Sequence, residues 1–385
     1  MSAPLMKLRF QLSVAIVTRR AWAGLPICTR VLVECGHRIK AFDRFRKMGL
    51  LRLFLATLVV VSHLGIDFHG WNVGVWAVVI FYMLAGHVVA KLWSRRPSGN
   101  FVTSLGWFYK DRALRIFPLY FAALLVSGLV WALGAQSYFL SKPPGLTDWL
   151  SNLTVVPLNF YMWTGIDRFS LVPPAWSLGA ELQFYLLLPF LMLWPRLAML
   201  AAAGSLLVFS FAQLGWLNTD IYGYRLLVGV LFIFLSGAII EKPSAAGYAA
   251  LIALWFILLS YVVILEVEGV RRFFDFEVAM GYLIGFPLIV AISKVRLVGS
   301  WNKLQSHAGS MSYGVFVFHF PMIWIVEMYN LPSAFRILPV MLGSVLLAAI
   351  FHYALERPVW RKLRKKLPES SPTEGKRAAG ASADA

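Results

Sequence analysis

Apolar stretches of about 16 to 23 residues recur along the whole chain, separated by short polar segments, and this recurrence constrains the fold more than any single motif. A helix needs about 20 predominantly apolar residues to cross the hydrocarbon core of a bilayer. Inside that core every backbone N–H and C=O must find a partner within the protein, so runs of this length read as helices. A window of bilayer length gives ten candidate spans: 50–66, 72–93, 113–134, 178–194, 197–215, 225–241, 247–265, 278–293, 309–328 and 336–356. The expected fold class is all-α integral membrane with about ten transmembrane helices. Composition agrees, since 59% of residues are hydrophobic, 14% are charged and the mean hydropathy is +0.70.

The formal net charge of +18 does not point to nucleic acid, because the basic residues sit in short loops and at the two ends rather than along one face. If the first span leaves the cytoplasm, the inner loops hold Arg95, Arg96, Lys110, Arg112, Arg196, Lys242, Lys294, Arg296, Lys303 and the basic segment after residue 356. The outer loops hold Lys142, Arg168, Arg271 and Arg272. That asymmetry is the positive-inside pattern, and with an even number of spans it puts both termini in the cytoplasm of a bacterial inner-membrane protein. The two cysteines, Cys28 and Cys35, have neither CxxC spacing nor a histidine set beside them, so no metal site and no disulfide framework is read.

Three segments fall outside the span pattern. Residues 1–47 carry ten basic and two acidic residues around apolar pieces too short to cross. They read as a basic cytoplasmic extension, or as non-native coding sequence ahead of a start at Met48, with an interfacial helix as the alternative. Residues 48–362 form the membrane domain, and 363–385 are a basic and then disordered tail by composition. The outer loop from about 135 to 177 contains "DWLSNLTVVPLNFYMW", apolar enough to re-enter the membrane, where it would have to pack on protein or line a cavity.

Within the spans, a few polar side chains stand out. Arg52 and His63 are eleven residues apart in the first span, which returns them to within roughly 20° of one helix face at a rise of about 16 Å. Titratable groups at that depth are costly and usually have a partner or a reaction, although Arg52 also suits an ordinary snorkelling role and His63 a packing one. Arg112 and Arg115, after Lys110, lie one turn apart at the start of the third span and suit a phosphate or pyrophosphate. "PPAWSLGAELQFYLLLPF" opens the fourth span, with Ser177 as the expected cap, Glu181 within about the first turn, and Trp176 and Tyr185 as further candidates. His319 falls near the middle of the ninth span, far from either interface. Glu356 and Arg357 close the tenth and read as an interhelical structural pair.

The stretches "LLRLFLATLVVVSH", "GVWAVVIFYMLAGHVV", "FYKDRALRIFPLYF", "PAWSLGAELQFYLLLPF", "SYGVFVFHFP" and "LERPVW" resemble, in order and spacing, the membrane acyltransferase-3 family of bacterial O-acyltransferases over about residues 45 to 362. The resemblance implies transfer of an acyl group, usually acetyl, from cytoplasmic acyl-CoA to a hydroxyl of a glycan or lipid-linked sugar at the outer face. It implies His63 as the first-span catalytic histidine, Arg52 as the basic residue before it, and Arg112 and Arg115 as the third-span pair. Acyl-CoA is then the donor, with no metal, and the three arginines hold its phosphates. His63 would act as general base on the acceptor or on an intermediate nucleophile, with Glu181 orienting the imidazole.

The chain departs from the family where Ser-Gly-Phe is common after the second span's aromatics. It has Ala85, Gly86 and His87, so no serine can act there and His87 reads as a packing or interfacial residue. No hydrolase-like extension follows the membrane domain as it does in some relatives, so the expectation is that transfer finishes in the membrane domain or on a partner. A flippase or transporter of a glycolipid is the rival reading, but no internal repeat is visible. A glycosyltransferase would need paired acidic metal motifs, which the scattered acidic residues do not supply.

Overall fold

A computed structural model describes residues 48–97, 99–269, 272–295 and 299–364. Cys28, Cys35, Arg271, Arg296, the 1–47 extension and the tail from 365 onward lie outside the described residues. Helix α1 (Gly49–His63) is followed by a turn and α2 (Val73–Trp93), which starts where the Asn72 side chain accepts from the Gly74 and Val75 amides. Helix α3 (Phe101–Ala132) is likewise capped by Asn100. After it, 3-10 turns alternate with the short helices α4 (Leu146–Thr154) and α5 (Tyr161–Thr164). The remaining long helices are α6 (Ala175–Leu193), α7 (Pro195–Gln213), α8 (Leu227–Glu241), α9 (Ala245–Glu268), α10 (Asp275–Lys294), α11 (Ser300–Met328) and α12 (Ile337–Phe351). The described part ends with α13 (Arg357–Arg364), and π-helical turns at Ile221–Arg225 and His352–Glu356 lead into α8 and α13.

Among the described residues nine helical segments are long and apolar enough to cross a membrane, and α1 is a shorter apolar helix of 15 residues. The protein is all-α, and each expected span coincides with a helix. The first falls short of the expected 50–66, rising only about 22 Å against a core of about 30 Å. Helices α3 and α11 begin at Phe101 and Ser300, well before the expected 113 and 309. In α3 the charged run Lys110–Arg112 separates the first turns from the span, and in α11 the first turns are polar, yet each continues the same helix. Pro118, Pro189, Pro287 and Pro321 all lie inside helices that run on past them.

Burial separates the centre from the rim. The most apolar stretches of α2 and of the Ile221–Glu241 segment are 72% and 83% buried, against 17% for α7 and 22% for α9. The outer helices therefore present their side chains to lipid, and α2 and α8 form the core. Gly86 of α2 faces the Phe234 carbonyl and Gly237 of α8 faces the Met83 carbonyl, so a Cβ at either position would collide with backbone. Such close approach is how helices gain contact in lipid, where burial of apolar surface no longer drives association. It also gives the Gly86 of the departed Ser-Gly-Phe motif a packing reason. Helix α1 meets α11 in the same way, with Gly49 against the Gln305 carbonyl and Gly309. Leu50 donates to Gln305 Oε1 at 2.9 Å at one end of this pair and His63 meets His319 at the other, so α1 and α11 run parallel.

The long segment between α3 and α6 settles its irregular backbone on the helices beneath it. Asn152 donates to the carbonyls of Asp148 and Phe169, accepts from the Leu171 amide, and its own carbonyl accepts from Tyr120. Asn159 donates to the carbonyls of Trp176 and Arg225 and accepts from Gln183. Both asparagines are buried, and each does with one side chain what water does for an exposed loop.

Candidate active site

His63 ends α1, and its Nδ1 lies 2.9 Å from His319 Nε2, the two rings being stacked at 5.1 Å and 11°. His319 is fully buried, whereas His63 is exposed on the protein's own surface. His319 Nδ1 lies 3.3 Å from the Val315 carbonyl, which can only accept. With both rings neutral, that contact assigns the proton of His319 to Nδ1 and leaves Nε2 bare. His63 Nδ1–H must then donate to His319, and His63 Nε2 keeps a lone pair. The Phe320 ring, 4.9 Å from His63, closes one side, and Phe139 of the α3–α6 segment packs on Phe320 in turn. Helix α11 continues nine residues past His319 to Met328, about 13 Å, so the pair is recessed from that helix end.

The arginines gather nearer the other end of α1. Arg52 is half-buried, and its electrostatic neighbours are Arg115, Tyr185, Glu181 and Arg112. Among the described residues its guanidinium makes no hydrogen bond. Arg112 donates to Asp111 at 2.6 Å and lies over the Tyr185 ring, while its buried Nε has no partner. Arg115 pairs with Glu356 and also donates to the Gly309 carbonyl at 3.3 Å, joining α3 to α11 and to the His352–Glu356 turn. Arg112 and Arg115 therefore do not form one fork, because each guanidinium turns to its own carboxylate. Glu356 receives Arg115 and His352 Nδ1, the latter at 2.7 Å, so the expected Glu356–Arg357 pair does not form. Arg357 instead sits over Tyr353.

Glu181 does not orient His63. Helix α6 starts at Ala175 behind Pro174, and Ser177 donates back to the Pro174 carbonyl rather than capping. Glu181 therefore lies nearly two turns into the helix, accepting from the Tyr185 hydroxyl one turn further on. Its charge faces Arg112 and Arg52. Tyr185 is buried in the same group. Trp176 goes elsewhere and stacks on Arg225 at 4.5 Å.

Arg225 was not among the residues singled out in the sequence. It ends the π-helical turn before α8, pairs with Asp220 at 2.7 Å, and lies within 6.0 Å of the rings of Tyr161, Trp176, Tyr224 and Phe274. Its charge reaches His63. Between the two ends lies Tyr82, buried, with a hydroxyl that has no hydrogen-bond partner and whose electrostatic neighbours include Arg225 and Glu181. His87 is buried beside Glu241 at 3.4 Å, with Lys91 on the same carboxylate at 3.2 Å, so it packs in an ionic cluster with α8. The helical bundle thus holds three guanidiniums towards one end of α1 and a histidine with a free lone pair at the other. Residues 45–354 match the acyltransferase-3 family, described as an acyltransferase domain.

The chain belongs to the acyltransferase-3 family. It is 34% identical over 200 residues to an uncharacterized protein of Aquifex aeolicus, covering 50% of this chain and 88% of that one. It is 28% identical to Nodulation protein 10 of Rhizobium leguminosarum, over 86% of this chain and 95% of the relative. YrhL of Bacillus subtilis, by its name a candidate peptidoglycan O-acetyltransferase, is 22% identical over 80% of this chain and 54% of its own length. No solved structure matches the chain significantly. Together with the apolar helices, membership makes this a multi-pass membrane acyltransferase, and the relatives' names point to transfer onto oxygen.

Proposed function

We propose that this acyltransferase takes an acyl group, acetyl by default, from cytoplasmic acyl-CoA and delivers it to a hydroxyl of a cell-envelope or exported glycan or lipid-linked sugar. The observation that carries the reading is the tautomer chain Val315–His319–His63, which leaves His63 Nε2 as a base in reach of the arginine cluster. His63 is about 16 Å of helix rise from Arg52. Arg52 and Arg112, the first with a guanidinium that makes no hydrogen bond among the described residues and the second with an unpartnered Nε, suit the CoA phosphates, and the pantetheine arm spans the distance towards His63. The basic residues Arg95, Arg96, Arg196, Lys242 and Lys294 follow the arginine end of the bundle, which supports a cytoplasmic side for that end in a bacterial inner membrane.

In the reaction His63 Nε2 takes the proton of the acceptor hydroxyl while its oxygen attacks the thioester carbonyl. The C–S bond breaks, CoA leaves as thiolate, and the imidazolium returns its proton to the sulfur. His319 holds the ring of His63 in the reactive tautomer, a positioning role like that of a triad's third member. Glu181 and Tyr185 position the guanidiniums rather than the histidine. The test is acyl transfer in membranes, supplying radiolabelled acetyl-CoA and comparing wild type with His63→Ala at matched abundance. Label in the glycan fraction that disappears with His63→Ala is the expected result. Normal transfer by His63→Ala, or no consumption of any acyl-CoA by wild type, would overturn the reading.

A further inference from the structure

We infer that the buried hydroxyl of Tyr82 holds the donor's arm, donating a hydrogen bond to an amide carbonyl of pantetheine between the arginines and His63. The inference rests on the acyltransfer reading above and adds a residue that binds the donor between its two ends. Three buried side-chain polar atoms of α2 have no partner among the described residues: Trp76 Nε1, Tyr82 Oη and His87 Nδ1. The His87 ring is already engaged with Glu241 through Nε2. Tyr82 has electrostatic neighbours in both groups, Glu181 among the arginines and Arg225, whose charge also reaches His63.

Helix register puts the hydroxyl between those ends. The Ser62–Asn72 hydrogen bond of 2.6 Å ties the end of α1 to the start of α2, and the two helices run antiparallel from there. Tyr82 comes ten residues after Asn72 and Arg52 ten residues before Ser62, so both Cα atoms lie about 15 Å of helix rise from that tie. Arg52 is an electrostatic neighbour of His87, one turn and a half beyond Tyr82, which agrees with this alignment. Side chains on a helix lean towards its N-terminus, which in α2 is the histidine end, so the Tyr82 hydroxyl reaches from the level of Arg52 towards His63. The ring is fixed, stacking on Phe234 at 4.6 Å, which stacks on Phe184 at 4.5 Å. A buried hydroxyl without a partner loses its hydration with no return, so a native structure keeps one where a ligand or water completes it. The pantetheine arm carries amides along its length, and a carbonyl drawn into an apolar bundle needs a donor. Tyr82, 2% exposed, offers that donor.

The test reads binding without acceptor, so it does not depend on turnover. Purified full-length wild type and Tyr82→Phe in lipid nanodiscs are titrated calorimetrically with CoA, and with ADP, which keeps the adenine and pyrophosphate and lacks the arm. Tyr82→Phe should weaken CoA about three- to tenfold, the loss of one hydrogen bond, and leave ADP unchanged. Because the hydroxyl has no protein partner to lose, the variant's unfolding midpoint without ligand should equal or exceed that of wild type. Equal CoA affinity in the two proteins overturns the inference and leaves the acyltransfer reading standing. An equal loss for CoA and ADP, or a lowered midpoint, does the same, because either makes the hydroxyl structural. No binding of CoA by wild type removes the acyl-CoA reading and this one with it.

Discussion

The two ends of α1 carry the same burden, a titratable side chain in an apolar helix, and they discharge it in opposite ways. At the arginine end two of the cations each take a carboxylate, Arg112 that of Asp111 and Arg115 that of Glu356, while Glu181 lies among them. A guanidinium cannot shed its proton, so countercharge is the only route to burial. At the histidine end no carboxylate pairs with His63 among the described residues, and its partners there are a second imidazole and the Phe320 ring. Neutral imidazoles need nothing more than each other and a carbonyl. The first end is therefore a structural joint as well as the proposed phosphate site, and the second can lose its outer member without loosening the bundle.

The sharpest way to break this contrast is to remove His63. His63→Ala should cut turnover by about 10²–10⁴-fold, the usual contribution of a general base. Because His63 is exposed and makes one hydrogen bond, its thermal unfolding in detergent should stay close to wild type. Parallel loss of stability and activity would make the histidine pair structural. The complementary change is Glu356→Ala, which takes the shared carboxylate from the half-buried Arg115 and His352 and should cost about 1–3 kcal/mol of stability. Chemical-denaturation curves of the purified protein check it, and an unchanged midpoint would mean that the joint carries no load.

The expected spans were legible because an apolar run of bilayer length has few alternatives. What hydropathy could not show was where helices continue beyond lipid, as α3 does from Phe101 to Tyr109. The pairing of His63 with His319 was hidden by a separation of 256 residues, although both rings had been singled out separately. Glu181 was matched to His63 because both were expected near the outer face, and the earlier start of α6 moves it to the arginines. Arg225 and Glu356 share a different obscurity. Each ends a π-helical turn, a local widening with no hydropathy signature that is common at functional sites.

His319→Gln tests the histidine end more gently. The glutamine Oε1 can still accept from His63 Nδ1–H, but its bond to the Val315 carbonyl is lost. Turnover should fall by about tenfold to a hundredfold, less than for His63→Ala, with the acceptor and donor KM unmoved. A loss as deep as that of His63→Ala would mean that His319 itself carries a proton.

The smallest expected effect sharpens the arginine end. The Arg52 guanidinium differs from its neighbours in making no hydrogen bond among the described residues, so Arg52→Lys should leave the unfolding midpoint in place, unlike Glu356→Ala. A lysine keeps the charge at that depth but replaces the planar fork by a point charge, which holds a phosphate less selectively. The donor KM should therefore rise about three- to tenfold, some 0.6–1.4 kcal/mol, with kcat unchanged. Initial rates across an acetyl-CoA series separate the two terms. A fall in kcat with KM constant would place Arg52 at the reacting centre instead of at the phosphates, and the distinction drawn between the two ends of α1 would then fail.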